Sequence, residues 1–218
     1  MTEPDLLVGK GEDFMLRLYD YYDSGNGYKV RLLLAHLGIR YEYVETDILK
    51  GETRTPEFLA LNPNGRVPLV VLEDGPLAES NAILFYFAEG TPYLPADKLG
   101  RARVLQWLFF EQYSHEPYVA VARFLLRHTA PDDPRREVLE QRQKGGYAAL
   151  GVMERHLAEN PFFVGDRYSI ADIALYAYTH VADQGGFELS SFPCLRAWLA
   201  RVERQAGYER MLLKHRGT

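Results

Sequence analysis

The chain has 218 residues, 47% hydrophobic and 25% charged, with a net charge of -5 at neutral pH. That length can bury a core as one large domain or two small ones, and the acidic balance argues against non-specific nucleic-acid binding, which needs a basic face. The lone cysteine, Cys194, excludes an internal disulfide framework and a multi-cysteine metal site and fits a reducing, cytoplasmic compartment; the start, MTEPDLLVGKGEDF, lacks an apolar run of signal-peptide length, and no stretch is long and apolar enough to predict a membrane span.

Residues 15–22, MLRLYDYY, are short and rich in β-formers, which predicts a strand. After DSGNGYKVR, Val30, Leu33, Leu34 and Leu37 recur at i, i+3, i+4, i+7, one face of a helix that Gly38 should end. YEYVETDI (41–48) reads as a second strand, so this strand–helix–strand order predicts a parallel pair with a right-handed crossover. VPLVVLED and PLAES flank Asp74-Gly75 and predict a hairpin. Residues 80–90 then read as a helix with Ser80 as N-cap. TPYLPADKLG (91–100), with two prolines and a glycine, reads as a linker. Beyond it no strand is predicted. A long helical pattern covers 101–128, with a kink or break expected at Pro117. Further helices are expected over 131–160, weakened in the middle by Gly145-Gly146, and over 169–183 and 192–205. The fold class is therefore α/β plus all-α: a small α/β domain over 15–90, a linker over 91–100 and an all-helical domain over 101–214.

The stretch DSGNGYKVR (23–31) carries three signals at once. Asn26-Gly27 is a hairpin dipeptide, but a helix comes next, so the hairpin reading fails. Gly25-x-Gly27 is part of a dinucleotide fingerprint, yet Val30 stands where the third glycine belongs, and no Gly-Lys-Ser/Thr ends the run as a phosphate loop requires. What remains is a hydroxyl, Ser24, at the start of a helix whose exposed amides favour an anion. Ser24 or Asn26 capping the helix is the plainer alternative.

Two more motifs bear on that choice. In NPNGRVPLVV (62–71), Pro68 stands directly before an apolar strand, where it fits only a strand start, an edge or a special turn, and a cis bond at Val67-Pro68 is accessible there. Glu79-Ser80 sets a carboxylate, which can accept from an ammonium, beside a hydroxyl and amide at a helix N-terminus, which can bind a carboxylate. Together they suit the α-amino-acid end of a small ligand; a simple helix start is the alternative. NPNGRVP, then LAES, then an all-helical half, resembles the cytosolic glutathione transferase superfamily over about residues 15–210. GDRYSIADIALY (165–176) adds to the resemblance; its Ser169 and Asp172 have capping-box spacing, a structural device.

The resemblance implies a thioredoxin-like N-terminal domain, a helical C-terminal domain, a homodimer, and glutathione lying along the first domain. It implies that the Val67 backbone, before cis-Pro68, pairs with the cysteinyl part of glutathione, that Glu79 and Ser80 hold its γ-glutamyl end, and that Arg66 lies beside the peptide. Ser24 matches the hydroxyl that faces the sulfur in theta-like and zeta-like classes. The zeta pattern would place a serine at Gly25 and a cysteine at Asn26, so a zeta-type isomerase is not implied. S-x-N-G-Y-K-V is instead similar to the turn of bacterial nu-class members that reduce disulfides, with Asn26 retained.

A cysteine-type thiol has a pKa near 8.5; the Ser24 hydroxyl, Asn26 and the helix N-terminus would favour its thiolate. The expectation is a transferase that activates the glutathione thiol towards a small hydrophobic electrophile or a disulfide, with Ser24 and Asn26 as the groups at the sulfur. A disulfide-bond reductase and a non-catalytic binding module are the alternatives, and Tyr19, Tyr21 or Tyr22 could replace Ser24 as the sulfur donor. Tyr113, His115, Tyr118 and Arg123, on the helix after the linker, are candidates for an electrophile pocket by position only; packing or dimer contact is the other reading of each. No metal site is expected, since the six histidines include no His-x-x-x-His pair, and no G-x-S-x-G elbow exists for a serine hydrolase.

Overall fold

The computed structural model describes residues 14–211, so the last three positions of the helical segment expected over 101–214 lie outside the described residues. Four strands, β1 (Arg17–Asp20), β2 (Glu42–Glu45), β3 (Leu69–Leu72) and β4 (Gly75–Ala78), form one mixed sheet in the order β2-β1-β3-β4. β1 and β2 run parallel, with Leu18 opposite Tyr43; β3 is antiparallel to both β1 and β4. The crossover is α1 (Gly25–Leu37), which ends at Gly38 in the left-handed region (φ 66°), where a Cβ would be strained. The β3–β4 hairpin turns through Glu73-Asp74, with Gly75 opening β4 opposite Leu72. Pro76 sits on the edge strand, where its missing N–H costs no ladder bond. The helix α3 (Ser80–Ala88) closes this thioredoxin-like domain.

One short helix, α2 (Pro56–Leu61), lies in a stretch for which the sequence pattern predicts no element. Its signal was present: Thr55 caps it by accepting from Phe58 N–H, and Pro56 occupies the first turn.

Among the described residues the second domain is built from helices: α4 (Lys98–Phe110), α5 (Glu116–His128), α6 (Leu139–Leu157), α7 (Ile170–Thr179) and α8 (Pro193–Glu203). α4 begins at Lys98, inside the stretch read as linker. The break expected at Pro117 takes the form of a π turn over Glu111–His115, which joins α4 to α5. Proline lacks the N–H that an α-helical bond would need there, and one wider turn absorbs the loss. Gly145 and Gly146 lie inside α6 for a packing reason. A Cβ on Gly145 would fall 2.2 Å from the Tyr118 ring, and one on Gly146 2.4 Å from Phe187.

α1 is the element between the two domains. It packs on α3 on one side and α7 on the other, so residues 27–34 are buried continuously and not only along the predicted face. Lys29 and Arg31 are therefore buried too, and each has a carboxylate partner. Lys29 Nζ lies 2.8 Å from Glu111, and Arg31 Nε 3.0 Å from Asp20. α7 is buried along its whole length. Among the described residues, no helix is long and apolar enough to cross a membrane.

Candidate functional site

The two glycines of the first turn of α1 make room for side chains. A Cβ on Gly25 would lie 2.5 Å from the Tyr178 ring, and one on Gly27 would lie 1.6 Å from Asp20 Oδ1. The turn is thus clamped between α7 and β1. Ser24 is the N-cap, its hydroxyl oxygen accepting the Gly27 N–H at 3.2 Å. The Asn26 N–H donates to the Tyr178 hydroxyl at 3.3 Å.

The loop before β3 is shaped by Asn62, a motif residue for which the sequence pattern suggested no role. Its amide donates to Arg66 O at 2.8 Å and its oxygen accepts the Asn64 N–H at 3.1 Å. Gly65 takes φ 62° within this turn. The Val67-Pro68 bond is cis. At the end of β4, Glu79 adopts φ 68°, the one non-glycine residue with positive φ among the described residues. Such strain in a side-chain-bearing residue clusters at functional positions. Glu79 is exposed and gives α3 no side-chain cap, so the first amides of α3 are left to other partners.

These pieces meet in one cleft of about 280 Å³. Its walls are Asn26 from α1, the loop residues Asn62, Asn64, Arg66, Val67 and Pro68, then Glu79 and Ser80, with Gln112 and Glu116 from the helical domain. Every residue expected to hold the peptide, and Asn26 of the expected sulfur pair, therefore lies on it. The helix starts α1 and α3 both supply walls, and a helix N-terminus favours anions. A larger groove of about 620 Å³, between segments 91–103 and 164–169, shares no residue with this cleft.

The four expected pocket residues do not converge. Tyr113 is 85% exposed on the outer side of the π turn. His115 is fully buried against the Thr179 hydroxyl at 2.9 Å, and burial, helped by the Lys29 charge, pushes its pKa down to about 3. Tyr118 packs on Gly145 with Arg142 over its ring. Arg123 is buried on Asp23, donating to its backbone oxygen and its carboxylate at 2.9 Å each. Burial alone would raise the Asp23 carboxyl, but hydrogen bonds from His128 and Arg127 and the charges of Arg123 and Arg127 hold it well below the usual range. Arg123 is thus committed to the fold. Ser24 is not among the lining residues, and nor are Tyr19, Tyr21 and Tyr22. Tyr19 packs edge-on to Phe58, and Tyr22 to Tyr43.

Sequence reasoning missed Gln112 and Glu116 as lining residues and Tyr178 as the acceptor of the Asn26 N–H. Tyr178 stands 152 positions away along the chain, and no local signal links such residues. The Gly25-x-Gly27 spacing was the one visible trace, since each glycine marks a close approach by another side chain.

Models of two protein families match the chain: the glutathione S-transferase N-terminal domain over residues 15–89, and its C-terminal domain over residues 136–201. The chain is 31% identical to the disulfide-bond oxidoreductase YfcG of Escherichia coli, over 92% of this chain and 95% of that one. It is 29% identical to the protein URE2 of Eremothecium gossypii over 86% of this chain, spanning 65% of that relative's length. The crystal structure of a glutathione S-transferase from Pseudomonas fluorescens superposes with a TM-score of 0.89 at 52% identity, covering 91% of this chain and 100% of that one. The structure of Ure2p in complex with glutathione superposes at 0.78 and 26% identity, covering 88% and 90%.

Proposed function

From the chain's membership of the cytosolic glutathione transferase superfamily, we propose that it binds glutathione in the cleft between Asn26 and Ser80 and activates the thiol for transfer to a small substrate. The observation that carries this reading is the meeting, in one cleft, of the α1 start, the Val67-Pro68 loop and the Glu79-Ser80 start of α3. The Val67 backbone would pair with the cysteinyl unit. Glu79 would accept from the γ-glutamyl ammonium, and the Ser80 N–H with the other α3 amides would hold the α-carboxylate, with Arg66 at the rim. The sulfur would then face the mouth of α1, where Asn26 and the Ser24 hydroxyl lie. There, donors and the helix N-terminus favour the thiolate, and each pKa unit lowered corresponds to about 1.4 kcal/mol.

Of the possible second substrates, a disulfide fits best. The wall that the helical domain gives the cleft is polar, Gln112 and Glu116, where Tyr113, His115, Tyr118 and Arg123 were expected. The bound thiolate attacks one sulfur of the disulfide and releases the other as a thiolate, which takes up a proton. The thiolate of a second glutathione then attacks the glutathionyl sulfur of the mixed disulfide, giving glutathione disulfide and releasing the remaining half of the substrate as a thiolate, which takes up a proton. Cys194, in the first turn of α8, does not line the cleft, so glutathione supplies both thiols. The relationship to a disulfide-bond oxidoreductase supports this reading. Conjugation to an electrophile is the second reading, favoured by the relationship to a glutathione S-transferase at 52% identity.

Calorimetry with glutathione, followed by turnover of 2-hydroxyethyl disulfide against a chlorodinitrobenzene-type electrophile, tests both. Binding with faster disulfide turnover is expected. Faster conjugation would reverse the order, binding without turnover would make the chain a glutathione-binding module, and no binding at millimolar glutathione would end the proposal. We also propose a homodimer through Leu105, Phe109 and Tyr113. These residues recur at four-residue spacing along α4 and its π turn and are 37%, 70% and 85% exposed. Light scattering should give a dimer mass that Phe109→Glu halves; a wild-type monomer would remove the idea.

A further inference from the structure

A directed chain of hydrogen bonds crosses the floor of the cleft. Lys29 Nζ donates to Ser80 Oγ (3.3 Å), Ser80 Oγ donates to Asn26 Oδ1 (3.4 Å), and Asn26 Nδ2 donates to Glu116 Oε1 (3.2 Å). Each contact is longer than the usual separation and individually weak. What they fix is direction. An ammonium only donates and a carboxylate only accepts. Ser80 must therefore receive from Lys29 and send its single hydrogen onward, and Asn26 must turn its oxygen to Ser80 and its nitrogen to Glu116. A flipped amide would set oxygen against the Glu116 carboxylate and lose a charge-assisted bond.

The two acids in this arrangement bracket the π turn. Glu111, its first residue, pairs with Lys29 at 2.8 Å, both side chains fully buried. Glu116, immediately after it, reaches Asn26. One additional residue in a helical turn rotates the next segment of helix by roughly 100°, so the π turn determines where Glu116 points. A buried ion pair such as Lys29–Glu111 is weak as a source of stability; here the lysine anchors the donor end of the chain.

We propose that Glu116 is a positioning residue for Asn26. By accepting one Nδ2 hydrogen, it turns the amide so that the second Nδ2 hydrogen, and not the carbonyl oxygen, is offered to the cleft and to a thiolate held there. This rests on the reading that Asn26 faces the glutathione sulfur, and the test separates the two ideas. Glutathione affinity by calorimetry and thiolate formation by ultraviolet absorbance against pH are to be measured on the full chain for wild type, Asn26→Ala, Glu116→Leu, Glu116→Gln and Asn26→Ala/Glu116→Leu. Glu116→Leu should raise the midpoint of the bound thiol by about one pH unit and lower kcat at neutral pH roughly tenfold, with glutathione affinity within about twofold. Glu116→Gln keeps an acceptor and removes the charge, so its midpoint should stay at or below that of wild type.

An influence of Glu116 through charge alone would move both single Glu116 variants downward together, and that result overturns the proposal. So does an additive double variant, because positioning through Asn26 leaves Glu116→Leu nothing to change once Asn26 is alanine. An unchanged thiol midpoint in Asn26→Ala would overturn the Asn26 reading, whereas a shift there with none in Glu116→Leu would overturn only the role of Glu116.

Discussion

The helix starts of α1 and α7 use similar residues to opposite ends. At α7, Ser169 and Asp172 form a capping box. The Asp172 carboxylate accepts from the Ser169 N–H and hydroxyl, the Phe163 N–H and Trp198 Nε1, all at 3.0–3.1 Å. Burial pushes the Asp172 carboxyl up to about 6, against the pull of those hydrogen bonds. That helix carries its own anion and is closed. At α1, Ser24 caps one amide and the first turn holds no acid. Of the carboxylates nearby, Asp20 is engaged by Arg31 beneath the turn, Asp23 by Arg123 and Arg127, and Glu116 by the Asn26 side chain. A helix N-terminus with an internal acid anchors the fold; one without remains available to an anion from outside.

The sharpest way to break this contrast is to fill the space under α1. Gly27→Ala places a methyl on the Asp20 carboxylate, which is buried and has nowhere to retreat. It should cost about 3 kcal/mol or more, read from chemical denaturation; a midpoint like that of wild type would mean the turn is not clamped. Next, Asp172→Asn leaves two buried donors facing an NH2 group. A loss of about 2–3 kcal/mol is expected, with glutathione affinity unchanged. Weaker glutathione binding at full stability would remove the distinction between the two helix starts. Ser24→Ala is a smaller change. It should cost about 1 kcal/mol as a lost cap and lower turnover much more than affinity; wild-type turnover would leave Ser24 with capping alone.

A pH dependence is expected from the acid beneath α1. Burial pushes the Asp20 carboxyl up to about 7, with Arg31 opposing, while in the unfolded chain it titrates near 4. The folded state therefore holds the extra proton between those values, and this group's contribution is present below about pH 4 and lost as pH rises through 7. The melting temperature of wild type relative to Asp20→Asn should be higher at pH 5 than at pH 8. The same difference at both values would show that Asp20 stays ionised beside Arg31.

Much of this was legible along the chain because its causes are local. The 3.6-residue recurrence in α1, the glycine that ends it, the hairpin at Asp74-Gly75 and the Ser169–Asp172 box each depend on residues within a turn or two of one another, and all appear. The cleft-lining residues Val67, Pro68, Glu79 and Ser80 also sit in short motifs visible along the chain. The wall contributed by the helical domain was not. Tyr113, His115, Tyr118 and Arg123 lie on the expected helix, but a π turn sets the rotation of α5 relative to α4, and rotation decides which side chains face the cleft. Hence Gln112 and Glu116 line it, while Tyr113 faces outward and His115, Tyr118 and Arg123 pack elsewhere.

The sequence by itself determined the elements, their order and the loop chemistry at the α1 and α3 starts, since backbone preference, capping and periodicity act over a few residues. Only the tertiary structure decided that α1 is buried on both sides, that Lys29 and Arg31 therefore need carboxylates from Glu111 and Asp20, and that Tyr178 and Glu116 meet Asn26. Those outcomes depend on which surfaces pack together, and packing brings into contact residues whose separation along the chain carries no trace of it.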